Sequence, residues 1–214
     1  MKRNYFLIAV AVIVVTVIAT VVIYPRLPGQ IPMHWNFRGD IDHYGSRKSI
    51  FLLPSVMAAA VLLFAVLPWL SPKRFEVDPF RATYLYIMVL VVALIAYLHV
   101  LILWAALSKP LNMSRSFLGA LFLFLILLGN VLGRVRRNFY VGVRTPWTLA
   151  SEKVWYATHR FAAKAFVIAG FIGLFSIIVG APPVVGFSIL IAAALLSVMY
   201  SIVYYKRLER RGEL

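Results

Sequence analysis

Three groups of residues in this chain have side chains able to do chemistry beyond building a fold. The first is the run Ile31-Pro32-Met33-His34-Trp35-Asn36-Phe37-Arg38-Gly39-Asp40-Ile41-Asp42-His43-Tyr44-Gly45. Imidazole and carboxylate donors suit divalent metals, so His34 and His43 with Asp40 or Asp42 are the candidate ligands. The spacing has no HExxH-like regularity, and a hydrogen-bonded polar loop accounts for the same residues; no metal and no cofactor is expected. Arg38-Gly39-Asp40 matches an adhesion tripeptide, but three residues match too easily by chance.

The second group is Asn138, Gly142, Arg144, Thr145, Pro146, Trp147 and Thr148, followed by Glu152, Trp155, Thr158, His159 and Arg160. Pro146 disfavours helix at Thr145, and Thr148 can cap a new helix with Ser151 and Glu152 in its first turn. Glu152, Trp155 or Tyr156, and His159 then recur at helical spacing, and Trp147, Trp155 and Tyr156 suit a membrane interface. Arg144 has no carboxylate within seven residues on either side. Its guanidinium can take a lipid phosphate, a backbone carbonyl or a distant partner such as Glu152, and a planar, bidentate contact is the expectation.

The third group is His99 and Asn130, polar residues inside long apolar stretches, where an ionisable group is a functional candidate by default. No acidic residue falls in any apolar stretch, so a carboxylate relay through a bilayer lacks its parts. His99 is therefore expected to hydrogen-bond between helices. GxSxG, HExxH, Walker and GxGxxG patterns are absent. Cysteine is absent as well, which excludes disulfides, thiolate metal sites and cysteine nucleophiles. No catalytic residue is assigned and no enzyme is expected.

The elements that must position these groups follow from composition. Of 214 residues 63% are hydrophobic and 14% charged, against about 25% charged in soluble domains. Six apolar stretches, 5–24, 50–70, 84–107, 116–133, 161–180 and 184–205, are each near the roughly 20 residues that cross a bilayer as helix. The first is read as an uncleaved signal anchor, its apolar run being too long for a signal peptide. The net charge of +15 would suggest nucleic acid in a soluble chain, but here it fits anionic headgroups, and no direct nucleic-acid partner is expected. With the N-terminus inside, sixteen Lys and Arg fall on the cytoplasmic side and six outside. Both termini and 134–160 are then cytoplasmic and 25–49 is outside; Lys164, within the fifth stretch, snorkels to the headgroups. In 25–49, Ile31, Met33, Trp35 and Phe37 alternate with polar positions as in a half-buried strand. A turn at Gly39-Asp40 would place Asn36 opposite His43, with His34 and Arg38 on the same side. Gly129-x3-Gly133 and Ala169-x3-Gly173 read as close helix contacts within the bundle. The expected fold is thus an all-α polytopic membrane helix bundle of about six transmembrane helices. It carries a small β-hairpin in the first outside loop and an interfacial helix in the large inside loop.

The order of these residues carries a resemblance. Asn138-x3-Gly142-x-Arg144-Thr-Pro-Trp-Thr-Leu149, followed by Glu152-x2-Trp155-x2-Thr158-His-Arg160, closely resembles the signature of the SdpI immunity protein family. Ile31-Pro-x-His34-x-Asn36-x2-Gly39-x2-Asp42-x-Tyr44-Gly45 is similar to the uncharacterised membrane domain that often precedes it. The resemblance divides the chain into an N-terminal membrane domain, 1–107, and an SdpI-like membrane domain, 108–214. It implies a multipass cell-membrane protein that protects its cell from a secreted peptide toxin. Some members are also implied to signal by drawing a transcriptional repressor to the membrane. The alternatives are a small membrane transporter, or a membrane-embedded enzyme with the outside His34/His43 loop as its site.

Overall fold

The computed structural model describes residues 2–36, 38–108 and 111–214. Seven helices occur among them: α1 (Lys2–Ile23), α2 (Leu52–Val66), α3 (Arg81–Ala106), α4 (Met113–Leu132), α5 (Pro146–Ala150), α6 (Glu152–Ile178) and α7 (Pro183–Arg210). All but α5 form the core of segments long and apolar enough to cross a membrane, three of them lengthened by 3₁₀ turns at Tyr24–Arg26, Arg47–Phe51 and Asp78–Phe80. Two strands, β1 (Gln30–Trp35) and β2 (Ile41–Ser46), form an antiparallel hairpin between α1 and α2.

The spans need no polar partners to form, because each helix closes its own backbone hydrogen bonds where lipid offers none. Their few hydroxyls follow the same rule: Thr16, Thr20 and Ser197 donate to Val12, Thr16 and Ala193 carbonyls at 2.6–2.8 Å. The ends are marked by specific residues. Asn112 caps α4 by accepting from Arg115 N, Gly180 turns with φ +77°, and Pro183 opens α7 with the missing N–H that a first turn can spare.

Large apolar side chains face outward along the spans, among them Val15, Leu62, Ile178 and Val203, each more than 60% exposed. Water would penalise that surface, whereas hydrocarbon does not. The protein is a multipass membrane protein. α3 is the central helix, packed on α1, α2 and α4 with 39% of its span buried, against 17–22% for the others. α4, α6 and α7 form a second group, in which glycines let α4 and α6 approach closely. A Cβ on Gly129 would stand 2.8 Å from the Ala163 carbonyl, and one on Gly170 would be 2.8 Å from that of Phe122.

Six crossings give the bundle two distinct faces. The start of α1, the end of α7, the α2–α3 connection and residues 133–151 share one: Phe75 and Phe139 rings lie 4.2 Å apart, and Lys153 Nζ donates to the Glu213 carbonyl. The hairpin lies on the other, where its turn at Gly39 meets Ser114 at the start of α4. The main core runs toward the first face and joins both halves of the chain, with Ala9, Met57, Tyr84, Val131, Trp155 and Ala162 in one cluster. A smaller core of Leu27, Ile31, Ile50, Leu103 and Ala106 supports the hairpin.

Three sequence expectations change in detail. The helical spacing of Glu152, Trp155 and His159 belongs to the first turns of α6, which runs unbroken into the fifth span; the helix of the loop itself is α5. Its cap is Thr145 rather than Thr148. The Thr145 hydroxyl accepts from Thr148 N and the Thr148 hydroxyl accepts from Thr145 N, a reciprocal capping box. The hairpin pairs His34, not Asn36, with His43, because Asn36 is hydrogen-bonded to Arg38, Gly39 and Asp40 in the turn and the register slips between Pro32 and Trp35. Phe37, the expected last aromatic of the strand, lies outside the described residues.

Candidate functional site

On the hairpin face, Asn36 builds the turn. Its Oδ1 accepts from Arg38 N and Asp40 N at 2.9 and 3.0 Å, and its own N–H donates to the Asp40 carbonyl. Gly39 has φ +93°, a conformation suited to glycine, and Gly45 is held near Met33, whose Cγ a Cβ would meet at 2.8 Å. His34 Nδ1 stands 2.5 Å from Asp42 Oδ1 with both side chains exposed, and Tyr44 is exposed beside them. Among the described residues no group of three or more His, Asp or Glu side chains is placed to hold a metal ion.

Beneath the hairpin lies an open cleft of about 490 Å³. Its floor is apolar, with Leu101 and Ile102 from α3, Met113 and Phe117 from α4 and Phe187 from α7; His34, Trp35, Asn36 and Ser114 stand at its edge. An apolar hollow with a few convergent polar groups, at the membrane surface, is suited to an amphipathic ligand.

On the opposite face residues 135–159 form a closed latch. Asn138 is fully buried and all its capacity is used: Oδ1 accepts from Tyr140 N and Val141 N, and Nδ2 donates to the Arg136 and Val141 carbonyls. Trp155 is fully buried and Nε1 donates to the Val135 carbonyl at 2.7 Å, so it is a core residue and not the interfacial anchor its type suggested. His159 stacks on that indole at 4.0 Å, donates from Nδ1 to the Trp155 carbonyl, and accepts the Val143 N–H at Nε2. Those partners require the neutral Nδ1–H ring. Gly142, with φ +118°, passes so close to His159 that any Cβ would collide with the imidazole. Thr148 donates to the Val143 carbonyl, and Thr145 Oγ1 lies 3.0 Å from Ser201 Oγ on α7.

Other signature residues face outward. Arg144 is exposed and donates to the Phe139 carbonyl, so of its three candidate partners it takes the backbone one, and through a single nitrogen rather than a bidentate fork. Pro146 is exposed at the first turn of α5, Trp147 is half-buried, and Glu152 and Arg160 are exposed on α6. Thr158 is buried with its hydroxyl unpartnered.

Within the spans, His99 Nε2 lies 2.7 Å from Thr20 Oγ1, linking α3 to α1 in the protein interior. Asn130 differs: it is exposed on α4 and lines a groove against α6 and α7. Sequence reasoning missed Thr20 and Ser201 as partners. Their signal was a hydroxyl repeated one turn apart within an apolar span, Thr16-x3-Thr20 and Ser197-x3-Ser201.

Comparison with known proteins agrees with this arrangement. Residues 134–205, the latch with α6 and most of α7, match the SdpI/YfhL protein family, and residues 11–58, which include the hairpin, match a domain of unknown function (DUF1648). The chain is similar to the protein named Immunity protein SdpI of Bacillus subtilis (strain 168), 29% identical over 211 residues that cover 98% of this chain and 99% of the relative. No solved structure matches it. Both matched segments thus lie in order along the chain, and the SdpI relative aligns with it end to end.

Proposed function

We propose that this protein confers immunity to a secreted antimicrobial peptide by receiving the peptide at the hairpin-side cleft. The observation that carries the reading is the end-to-end similarity to the Bacillus subtilis immunity protein. The cleft fits it physically: it opens where an amphipathic peptide would meet the membrane, and offers apolar floor and polar edge together. Function here is binding rather than catalysis. In this reading the hairpin faces the cell exterior and the latch, with both termini, faces the cytoplasm, which the sixteen-to-six division of Lys and Arg supports. The exposed basic side chains of the latch face, Arg136, Arg144 and Arg160 among them, give a cytoplasmic transcriptional repressor a surface to be drawn to. The two halves, 1–107 and 108–214, then serve as receiving and signalling domains.

The test is survival of a toxin-sensitive Bacillus subtilis strain lacking its own immunity protein. Expression of this chain is expected to restore growth under toxin challenge, and substitution of Phe117 or Phe187 by Asp in the cleft floor to abolish it at unchanged membrane abundance. Killing despite normal abundance of the unsubstituted chain would sink the reading. Orientation is checked separately in this thiol-free chain: an impermeant thiol reagent on intact cells should label Ser46→Cys and not Ala150→Cys.

A further inference from the structure

A second concavity, on the latch side, holds two cations that peptide binding at the hairpin side does not use. A groove of about 490 Å³ opens between α4, α6 and α7, lined by Asn130, Gly133, Arg160, Lys164, Tyr200 and Tyr204. Arg160 and Lys164 are one helical turn apart on α6, so they share a face and repel each other. Neither makes a hydrogen bond or ion pair among the described residues, and both are exposed. α4 brings an amide and two glycines and α7 brings two phenols, and the three described ion pairs all lie elsewhere. One wall is aromatic: Phe161 stacks on Tyr200 at 4.4 Å with nearly parallel planes, and Tyr204 continues the stack at 5.7 Å.

The polar groups of this groove share one depth. At about 1.5 Å per helical residue, Lys164 and Arg160 are about 21 and 27 Å from the hairpin-side end of α6 at Ile178. Asn130 is about 26 Å from the start of α4 at Met113, and Tyr200 about 26 Å from the start of α7 at Pro183. Measured against a ~30 Å hydrocarbon layer, all four fall in the last third, within reach of the headgroups on the latch side. Snorkelling alone would explain two cations, but not an amide and a phenol stack placed around them in a hollow.

We infer that this groove is a binding site for an acidic phospholipid, whose phosphodiester sits between Arg160 and Lys164. Asn130 and the tyrosine hydroxyls are the available donors for the headgroup glycerol. The acyl chains then lie along the apolar outer surface of α6 and α7, which presents Ile168, Phe171, Leu195 and Leu196 to lipid. Two convergent cations supply the charge, and the hollow supplies a preference for one bound molecule over a diffuse layer. The inference stands apart from the immunity reading, since it concerns the other face and a different ligand.

The full-length protein reconstituted in nanodiscs of mixed phosphatidylglycerol and phosphatidylcholine, then extracted and analysed by native mass spectrometry, tests this directly. The unsubstituted chain should retain one phosphatidylglycerol in preference to phosphatidylcholine, and Arg160→Gln with Lys164→Gln should lower that retention about tenfold or more. Arg210→Gln with Arg211→Gln, which removes equal charge from the same face, should leave it unchanged. Gly133→Leu fills the groove with its cations intact; Gly133 has ordinary helical backbone, and a Cβ there meets nothing closer than Arg160 Cγ at 3.9 Å. It too should lose the lipid. Equal retention of both lipids, retention by a folded Gly133→Leu protein, or equal loss in the Arg210/Arg211 control would each overturn the site. Displacement by millimolar inorganic phosphate would reassign it to a free anion.

Discussion

The two faces of the molecule use similar residue types in opposite ways. On the latch face Asn138, Thr148, Trp155 and His159 are buried, and their named donors and acceptors are spent on the fold. On the hairpin face His34 and Asp42 pair in the open at 2.5 Å, above a hollow that nothing described fills. The difference teaches that a dense motif need not be a binding site. In the latch, the spacing of the motif is the spacing needed to fold residues 135–148 back onto α6, leaving Arg144, Glu152 and Arg160 as its outward chemistry.

That comparison predicts where abundance and activity should separate. The largest effect is expected for Trp155→Ala. Loss of a fully buried indole, its bond to Val135 and its stack on His159 should cost about 3–5 kcal/mol, seen as collapse of membrane abundance and of thermal stability. Normal abundance of that variant would return Trp155 to the membrane interface. Gly142→Ala should come next, since it forces a Cβ into His159 at a φ of +118°. Adding His159→Ala removes the obstacle, so the double variant should melt higher than the sum of the single losses; simple additivity would mean the contact is relaxed in the bilayer.

The hairpin should behave in the reverse sense. An exposed ion pair contributes at most about 1 kcal/mol, so His34→Ala or Asp42→Asn should leave abundance unchanged. If the cleft receives the toxin, the same variants should reduce survival under challenge several-fold. A fall in abundance that accounts for the lost survival would make the pair structural and erase the contrast between the faces.

Much of this was legible beforehand, for physical reasons that also explain what was not. The six spans follow from composition, because hydrocarbon imposes one length and one polarity on every crossing. Their ends were not legible: α6 begins at Glu152, nine residues before its apolar stretch, since polar residues are free to continue a helix beyond the bilayer. The hairpin was visible in the alternation of Ile31, Met33 and Trp35, but its register depended on Asn36 closing a wider turn than Gly39-Asp40 alone suggests. Trp155 misled because an amphipathic aromatic in a basic loop fits both an interface and a core. Only the Val135 carbonyl, brought to its indole N–H by the fold, distinguishes the two. Thr20 and Ser201 carry a local signal in their paired hydroxyls, but which distant residue each one meets, His99 or Thr145, is set by the fold.

The smallest effect, and the one that sharpens the comparison most, is expected at Arg144. It belongs to the latch by sequence but to the outward surface by exposure, and its guanidinium donates from one nitrogen to a carbonyl of its own loop. A lysine ammonium can donate to a single carbonyl and keeps the charge, so Arg144→Lys should change abundance by no more than about 0.5 kcal/mol-equivalent, the range usual for surface substitutions. Survival under toxin should also be retained. Arg144→Gln keeps a donor and removes the charge, which separates support of the loop from attraction of an anionic surface or partner. Retained survival with Lys and reduced survival with Gln, at equal abundance, would assign Arg144 an electrostatic role on the cytoplasmic side. Loss with Lys at normal abundance would instead demand a planar, two-pronged contact to a partner, and would make the latch a recognition surface after all.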